Sequence, residues 1–261
     1  MKLSEMGRRI ISFPDKYAAF RHAASLFRGL PGLRGLWTMA DYDINGNAED
    51  MTQYDLLLTR NGNPLYHQEQ MVPALYFDGT GDYLSRADEA ALSITASEAH
   101  ISPNSWGLTL GSWFSATGIT TRQDLITKIS AAAGNFSYYL SFSGNVAGDP
   151  VCFFVSDDGT NSDEVYSSNG VTAAQWSFAV GRFDNNDAGE ELAVFLNGAK
   201  TTGATARATI FDGNAAFGVG GTGLGGNLLT GRMSITFLCA TALPDDMIGA
   251  MFQQSRALYG V

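Results

Sequence analysis

The sequence predicts an all-β fold: a two-layer antiparallel β-sandwich with a helical arm in front of it and a short helix behind it. The first observation is composition, because 30 glycines and 11% aromatic residues against only 16% charged residues are typical of many strands joined by tight turns. The second is a period of two in the apolar residues from Leu33 onward. The third is a set of turn signals between the alternating segments.

The clearest alternation lies in residues 136–143, where Phe136, Tyr138, Leu140 and Phe142 alternate with three serines and a tyrosine. Such a segment presents one apolar and one mostly polar face, as a strand that covers a core does. Similar alternation occurs at 151–155, 176–180, 192–196 and 233–239. We interpret all five segments as strands.

Short turn motifs separate these segments, and they stand at residues 61–62, 78–81, 157–159, 197–198 and 212–213. Each motif combines Asn or Asp with Gly, the residue types that tolerate the positive φ of tight hairpin turns. Many short strands punctuated in this way favour a sandwich or barrel over alternating strands and helices. No repeat of fixed period is visible, which argues against a propeller.

The chain is interpreted as a basic helical arm, residues 1–32, followed by a sandwich domain, residues 33–261. Residues 1–36 contain seven basic and two acidic side chains, although the whole chain has a formal net charge of −10. Residues 14–29 are the helix candidate of the arm, because apolar residues recur there at helical spacing. The recurring residues are Tyr17, Phe20, Ala24 and Phe27. Two interpretations stay open: the helix packs against its own sandwich, or the arm docks on an acidic partner such as another copy of the chain.

Charge and hydropathy disfavour two classes of partner. A formal charge of −10 and a pI near 4.6 would repel the phosphates of nucleic acid. No segment approaches the roughly 18 consecutive apolar residues of a membrane-spanning helix. Charged residues and Pro14 interrupt the N-terminal segment, which therefore does not resemble a secretory signal. We expect no nucleic-acid or membrane partner, and either a mature sequence or a protein made and assembled inside a cell.

Three features lie outside this pattern or leave a question open. Residues 87–105 show neither strand nor helix periodicity and are interpreted as a long connection. After Pro244 the sequence predicts a short closing helix, with two aspartates at its positive N-terminal end. Cys152 and Cys239 lie in apolar strand segments, where a free thiol behaves as a small hydrophobe, and their pairing stays open.

Six segments, taken in order, resemble the laminin G-like, concanavalin A-like jelly-roll family. They are GLW at 35–37, ALYFDGTGDYLS at 74–85, LTLGSWFS at 108–115, QWSFAVGRFD at 175–184, ELAVFLNGAK at 191–200 and LTGRMSITFLCATALPDDMIGAMF at 229–252. The hairpin at 74–85 is the most specific match, and the resemblance covers residues 33–260. The connection at 87–105 and the N-terminal arm depart from the family pattern. The resemblance implies two curved antiparallel sheets, with calcium, glycans or protein partners bound at the loop rim.

Acidic turns are the candidates for a calcium site at this rim, since calcium takes several oxygen ligands from loop carboxylates and carbonyls. Asp157, Asp158 and Asp163 cluster in one loop, whereas Asp78 and Asp82 flank a hairpin turn. The structural alternative is that these aspartates only satisfy main-chain groups of their own turns.

The sequence does not favour catalysis. The E-x-D-x-x-E pattern of the glucanases with this superfold is absent, and the adjacent Glu190 and Glu191 point to opposite faces of a strand. Residues 218–223, GVGGTG, match a dinucleotide fingerprint but lack its strand and helix context. The three histidines, His22, His67 and His100, share no metal-ligand spacing. A glycan-cleaving enzyme is the weakest alternative, and it would need two carboxylates about 5 to 10 Å apart in a cleft.

Two functions from different classes follow. The first is a structural or interaction protein, a bacteriophage virion surface or tail-associated component of decoration or fibre type, which assembles with other virion proteins or as a homo-oligomer through its basic arm. The second is a secreted, extracellular lectin-like module that binds cell-surface glycans with calcium, for which Tyr139 and Tyr166 are candidate sugar-stacking residues. The arm discriminates between them. Contacts of the arm with other chains favour assembly, whereas packing on its own domain favours the lectin.

Overall fold

The computed structural model describes residues 18–69, 72–95, 106–130 and 134–261, and in this part the chain forms two α-helices and fifteen strands. The helices are α1 (Ala18–Arg28) and α2 (Asp245–Tyr259). The strands are β1 (Leu33–Trp37), β2 (Thr59–Asn61), β3 (Leu65–Glu69), β4 (Val72–Asp78), β5 (Tyr83–Arg86), β6 (Gly107–Ala116), β7 (Arg122–Ile129), β8 (Phe136–Ser143), β9 (Pro150–Val155), β10 (Asp163–Gly170), β11 (Ser177–Asp184), β12 (Leu192–Leu196), β13 (Ala199–Gly203), β14 (Phe217–Val219) and β15 (Thr230–Cys239). Neither helix of the described part has the length and apolar character needed to span a membrane.

The strands form two antiparallel sheets that pack face to face. The first sheet has the order β13-β12-β11-β6-β15-β4-β3, with β1 also paired to β15. The second sheet has the order β10-β9-β8-β7-β14-β5-β2. This architecture confirms the predicted all-β, two-layer antiparallel sandwich with a helix before it and a helix after it.

A large apolar core fills the space between the sheets. In β8, Tyr138, Leu140 and Phe142 point into this core, as the alternation predicts. Four of the five segments interpreted as strands lie wholly in strands of the structure, and the fifth, 176–180, begins one residue before β11. The turn after β12 has φ of 52° at Asn197 and 83° at Gly198, which fits the predicted tight Asn-Gly hairpin.

A second apolar layer covers the outer face of the first sheet. In β11, Ala179 and Phe183 face the core between the sheets, whereas Phe178 and Val180 face α1 and α2. Strands such as β11 and β12 are therefore buried on both faces, and this explains why they are apolar almost throughout. The helices complete the fold by covering this face.

Helix α1 packs against the sandwich of its own chain. Its buried residues are Phe20, Ala23, Ala24 and Phe27. Residues 1–17 of the predicted arm, including the start of the predicted helix, lie outside the described residues. The domain boundary between residues 32 and 33 stays a prediction.

The predicted connection after β5 contains a short 3-10 turn, Ala90–Leu92. The side chains of Leu92 and Ile94 are buried in the core between the sheets. The hydroxyl of Tyr138 donates to the Leu92 carbonyl oxygen at 2.8 Å. Residues 96–105 of this connection lie outside the described residues.

Candidate ligand-binding site

The two aspartates of the β4–β5 hairpin hold their own turn. Asp82 is buried, and its carboxylate accepts hydrogen bonds from the main-chain N–H groups of Asn63 at 2.7 Å and Asp78 at 3.1 Å. The Asp78 carboxylate accepts from the Thr80 N–H at 2.6 Å. These contacts fit the structural interpretation of the turn aspartates.

Two of the three aspartates predicted for one loop flank an arginine: Asp157 lies between β9 and β10, and Asp163 begins β10. Arg207 forms ion pairs with Asp157 through Nη1 and with Asp163 through Nε, the latter at 3.0 Å. Asp158 accepts hydrogen bonds from the side chain of Asn161 and from the N–H groups of Thr160 and Asn161, and these lower the pKa of its carboxyl. Across the described ranges, no three His, Cys, Asp or Glu side chains converge on a possible metal position. Calcium at either acidic loop stays a prediction.

Tyr139 presents no open ring face to a sugar. The Arg122 guanidinium lies 4.1 Å from its ring centroid, and the Phe154 ring stacks on it at 4.3 Å. Its hydroxyl donates to Glu164 at 3.3 Å. Tyr166 is half-buried beside it and donates to the same carboxylate at 2.9 Å. Of the two predicted stacking residues, only Tyr166 is appreciably exposed.

The remaining sequence candidates have structural partners or lie apart. Glu190 forms an ion pair with Lys200, and the Glu191 carboxylate accepts from the N–H groups of Gly189 and Thr205. The GVGGTG segment begins in β14 and leads through a loop to β15, so no helix follows it. His22 lies on the exposed face of α1, whereas the His67 side chain and all of His100 lie outside the described residues.

Both cysteines are free and buried. Cys152 lies in the second sheet and Cys239 in the first. Burial raises the pKa of the Cys152 thiol to about 12, so this thiol is not activated as a nucleophile.

A cavity of about 580 Å³ opens on the outer face of the first sheet, beside the C-terminal end of α2. Its walls come from β4, β15, the loop before β11, the turn after β12 and the last residues of the chain. The lining residues are Val72, Ala74, Gly170, Thr172, Ala174, Gln175, Trp176, Ser177, Asn197, Arg232, Leu258, Tyr259, Gly260 and Val261. This volume lies within the range of roughly 300–1,000 Å³ that is usual for small-molecule sites.

Trp176 is the half-buried aromatic residue of this cavity. Its indole lies edge-on against Tyr259, with ring centroids 5.1 Å apart and an interplanar angle of 65°. Tyr259 is itself buried and stacks on Trp113 at 3.9 Å. The buried Tyr259 ring, itself held by Trp113, therefore packs against one side of Trp176. The indole N–H of Trp176 has no hydrogen-bond partner among the described residues.

Polar side chains converge around this indole. Asn197 accepts the Phe178 N–H through Oδ1 at 2.8 Å, which orients its Nδ2 group. Within the described ranges, this Nδ2 group, the amide of Gln175 and the hydroxyl of Ser177 have no protein hydrogen-bond partner. The cavity thus combines one aromatic surface with several uncommitted donors and acceptors, the usual composition of a site for a polar ligand.

The turn that presents Gln175 adopts an unusual backbone. Ala174 has a φ of 59°, although alanine rarely occupies the left-handed region. The Ala174 N–H donates to the Ala116 carbonyl at 2.7 Å, and the Gln175 N–H donates to the Thr172 carbonyl at 3.2 Å. These bonds hold the turn against the end of β6, and such strained positions are concentrated at functional sites.

The sequence did not identify this cavity. Trp176 shares the alternation of Phe178 and Val180, and that pattern predicts a core residue. It lies on the same outer face as they do, but α2 ends beside it and leaves part of the ring uncovered. No local signal distinguishes a residue under a helix from one just past its end.

No family model and no curated protein sequence matches the chain. The solved structures similar to it include domain 4 of AbnA, a GH43 extracellular arabinanase from Geobacillus stearothermophilus, in complex with arabinotriose. That match has a TM-score of 0.63 at 15% identity and covers 85% of this chain and 98% of the domain.

Toxin binding domains form a second group of similar structures. The binding domain of Paraclostridial Mosquitocidal Protein 1 matches with a TM-score of 0.62 at 10% identity, over 87% of this chain and 52% of that one. The receptor binding domain of botulinum neurotoxin C/D mosaic serotype matches with 0.59 at 10%, over 85% and 51%. The chain thus spans about half the length of these toxin domains, and the likenesses show the jelly-roll-like β-sandwich fold.

Proposed function

We propose that the chain is a non-catalytic glycan-binding module and that a saccharide ring packs against Trp176 in the cavity beside the end of α2. The observation that carries this proposal is the half-exposed indole, held by Tyr259 and surrounded by uncommitted polar side chains.

A saccharide matches this surface in both of its chemical properties. The C–H face of a pyranose or furanose ring packs on an aromatic ring, while its hydroxyls need directed hydrogen bonds. Trp176 supplies the first contact, and its own N–H can also bond a hydroxyl. Asn197, Gln175 and Ser177, which line the same cavity, supply the second kind of contact.

The lining favours binding over catalysis. Among the described residues that line the cavity there is no Asp, Glu, His or Cys side chain. A glycosidase needs a pair of carboxyl groups for acid and base or nucleophile. The arabinanase domain with a similar fold was solved in complex with arabinotriose, and this likeness supports a saccharide as ligand.

The packing of α1 favours the extracellular lectin-like alternative over assembly through the arm. Phe20 and Phe27 of α1 are buried against the sandwich of the same chain, so this part of the arm is engaged. A role in a bacteriophage virion, with the arm as the contact to other subunits, stays a prediction from the sequence.

A glycan array with three proteins tests the proposal: the wild type, Trp176→Ala and a matched control, Tyr42→Ala. Tyr42 is 48% exposed and lies outside the cavity. We expect the wild type and the control to bind the same saccharides, and Trp176→Ala to bind them about tenfold more weakly or not at all, which corresponds to ~1.4 kcal/mol.

Circular dichroism and thermal unfolding establish that each variant is folded. A repeat of the array with a chelator separates calcium-dependent from calcium-independent binding. A wild type that binds no glycan, or full binding by a folded Trp176→Ala variant, would contradict the proposal.

A further inference from the structure

We infer that the ligand is an extended oligosaccharide chain of several sugar units, which runs from Trp176 across the first sheet to a second aromatic contact at Tyr76. This inference rests on the proposed function and specifies the ligand class of the same site.

The cavity is elongated across the strands of the first sheet. Trp176 lines it directly before β11, Arg232 lines it from β15, and Val72 and Ala74 line it from β4. In the sheet, β11, β6, β15 and β4 are consecutive neighbours. With about 4.8 Å between neighbouring strands, the cavity therefore extends over roughly 14 Å. A single sugar ring, which is about as wide as one strand spacing, fills only a part of this length.

Tyr76 of β4 lies in one cross-strand row with residues of β15 and β6. Arg232 is opposite Tyr76 in one direction and opposite Ser115 in the other. The neighbours of Tyr76 in the strand, Leu75 and Phe77, belong to the core between the sheets. Because side chains alternate along a strand, Tyr76 points to the outer face, on which the cavity opens.

Trp176 continues this row at its other end. Ser177, the first residue of β11, is opposite Phe114 of β6, and this register places Trp176 beside Ser115. Ser115 and Arg232 thus separate Trp176 from Tyr76. The two aromatic residues are three strand spacings apart on one sheet face, or roughly 14 Å, which suits a chain of sugar rings.

Tyr76 has the features of a second stacking residue. Its side chain is half-buried, and it borders the cavity because Ala74, two residues away on the same face, lines it. Among the residues that the structure describes, the Tyr76 hydroxyl has no hydrogen-bond partner and its ring stacks on no other ring. A tyrosine in this state offers an apolar ring to the C–H face of a sugar and a hydroxyl to its polar edge.

The energetic argument concerns the cost of binding. The translational and rotational freedom of a ligand is lost once, however many units bind. A unit that reaches Tyr76 after another has bound at Trp176 therefore adds its contacts at the smaller cost of ordering the linkages between them. Affinity should rise with chain length until the chain spans both aromatic residues.

Isothermal titration calorimetry with oligosaccharides of graded length tests the inference. The probes are the di-, tri-, tetra- and hexasaccharide fragments of arabinan, xylan and cellulose. The proteins are the wild type, Tyr76→Ala, Tyr76→Phe and Trp176→Ala. Tyr42→Ala is the matched control, because it removes an exposed tyrosine outside the cavity. Circular dichroism establishes that each variant is folded.

In at least one series we expect the affinity of the wild type to rise about tenfold or more from the disaccharide to the tetrasaccharide, and to change little beyond it. Tyr76→Ala should lower the ratio of tetrasaccharide to disaccharide affinity by about fivefold, since only the longer chain reaches β4. Tyr76→Phe, which keeps the ring, should retain most of this ratio. Trp176→Ala should weaken binding at both lengths, and Tyr42→Ala should keep the values of the wild type.

Failure of this inference is distinguishable from failure of the proposed function. If neither chain length nor Tyr76→Ala changes the affinity while Trp176→Ala still weakens it, the site holds a short saccharide and the inference is wrong. The same conclusion follows if the wild type binds glycans on the array but no fragment of these three series. If no saccharide binds, or a folded Trp176→Ala variant binds as the wild type does, the proposed function fails together with the inference.

Discussion

The phenyl ring of Phe27 in α1 lies 5.4 Å from the ring of Phe237 in β15, measured between centroids. Phe27 is fully buried and also meets Phe178 edge-on at 6.3 Å. Helix α1 is therefore a part of the apolar layer on the outer face of the first sheet, and removing it would expose that layer to water.

The first prediction is that Phe27→Ala destabilises the whole sandwich. A buried phenylalanine replaced by alanine loses apolar contacts and leaves a cavity, so we expect a loss of about 3–5 kcal/mol in the free energy of unfolding. Urea unfolding followed by tryptophan fluorescence measures it. His22→Ala, on the exposed face of the same helix, is the matched control and should change stability by no more than about 0.5 kcal/mol. Equal urea midpoints for the two variants would show that α1 is detachable.

The core strands could be predicted because they bury a face, and burial leaves a period in the sequence. The period of β8 places Tyr138 in the core as expected. The outer layer was harder to foresee, because its partners come from opposite ends of the chain. Phe27 and Tyr259 pack on the same sheet face, and no local pattern relates them.

The functional candidates were harder to predict than the outer layer, as individual residues show. Asp157 and Asp163 form an acidic loop in the sequence, but the arginine between them lies 50 residues after Asp157. Trp176 follows the alternation of a core strand, and only the position where α2 ends leaves it half-exposed. The ion pairs of Arg207 and the exposure of Trp176 both depend on contacts between segments that are distant in the sequence. The spacing of residues within one segment does not reveal such contacts.

The second prediction concerns calcium at the loop between β9 and β10. Because Arg207 already pairs with Asp157 and Asp163, we expect 2 mM calcium chloride to leave the melting temperature of the wild type unchanged relative to EGTA. Replacing the arginine, as Arg207→Ala, leaves the carboxylates facing each other and should lower stability. In that variant calcium should restore part of the loss. Differential scanning fluorimetry measures all four conditions.

A rise in the melting temperature of the wild type with calcium would contradict this prediction and revive the metal site expected from the sequence. Arg86→Ala serves as the control, since Arg86 pairs with Glu89 in another part of the molecule. Its stability should not respond to calcium.

The third prediction is a loss of stability in acid that originates in loop carboxylates. Asp43 accepts hydrogen bonds from the Asn47 N–H at 2.9 Å, the Asn47 side chain at 2.9 Å and the Asn45 N–H at 2.8 Å, and these lower its pKa below the ordinary value of 3.8. Asp158 is held in a similar way by Asn161 and Thr160, which also lowers its pKa. A carboxyl whose pKa is lower in the folded than in the unfolded chain stabilises the fold above its unfolded pKa, and this contribution disappears as the pH falls through the folded value. We therefore expect the melting temperature to fall as the pH drops from about 5 to 2.

Asp158→Asn should be less stable than the wild type at neutral pH and should show a shallower fall in acid. Asp212→Asn, which changes an exposed aspartate of another loop, should keep the slope of the wild type. Thermal unfolding followed by circular dichroism across this pH range provides the measurement, and parallel curves for the wild type and Asp158→Asn would assign the acid response to other groups.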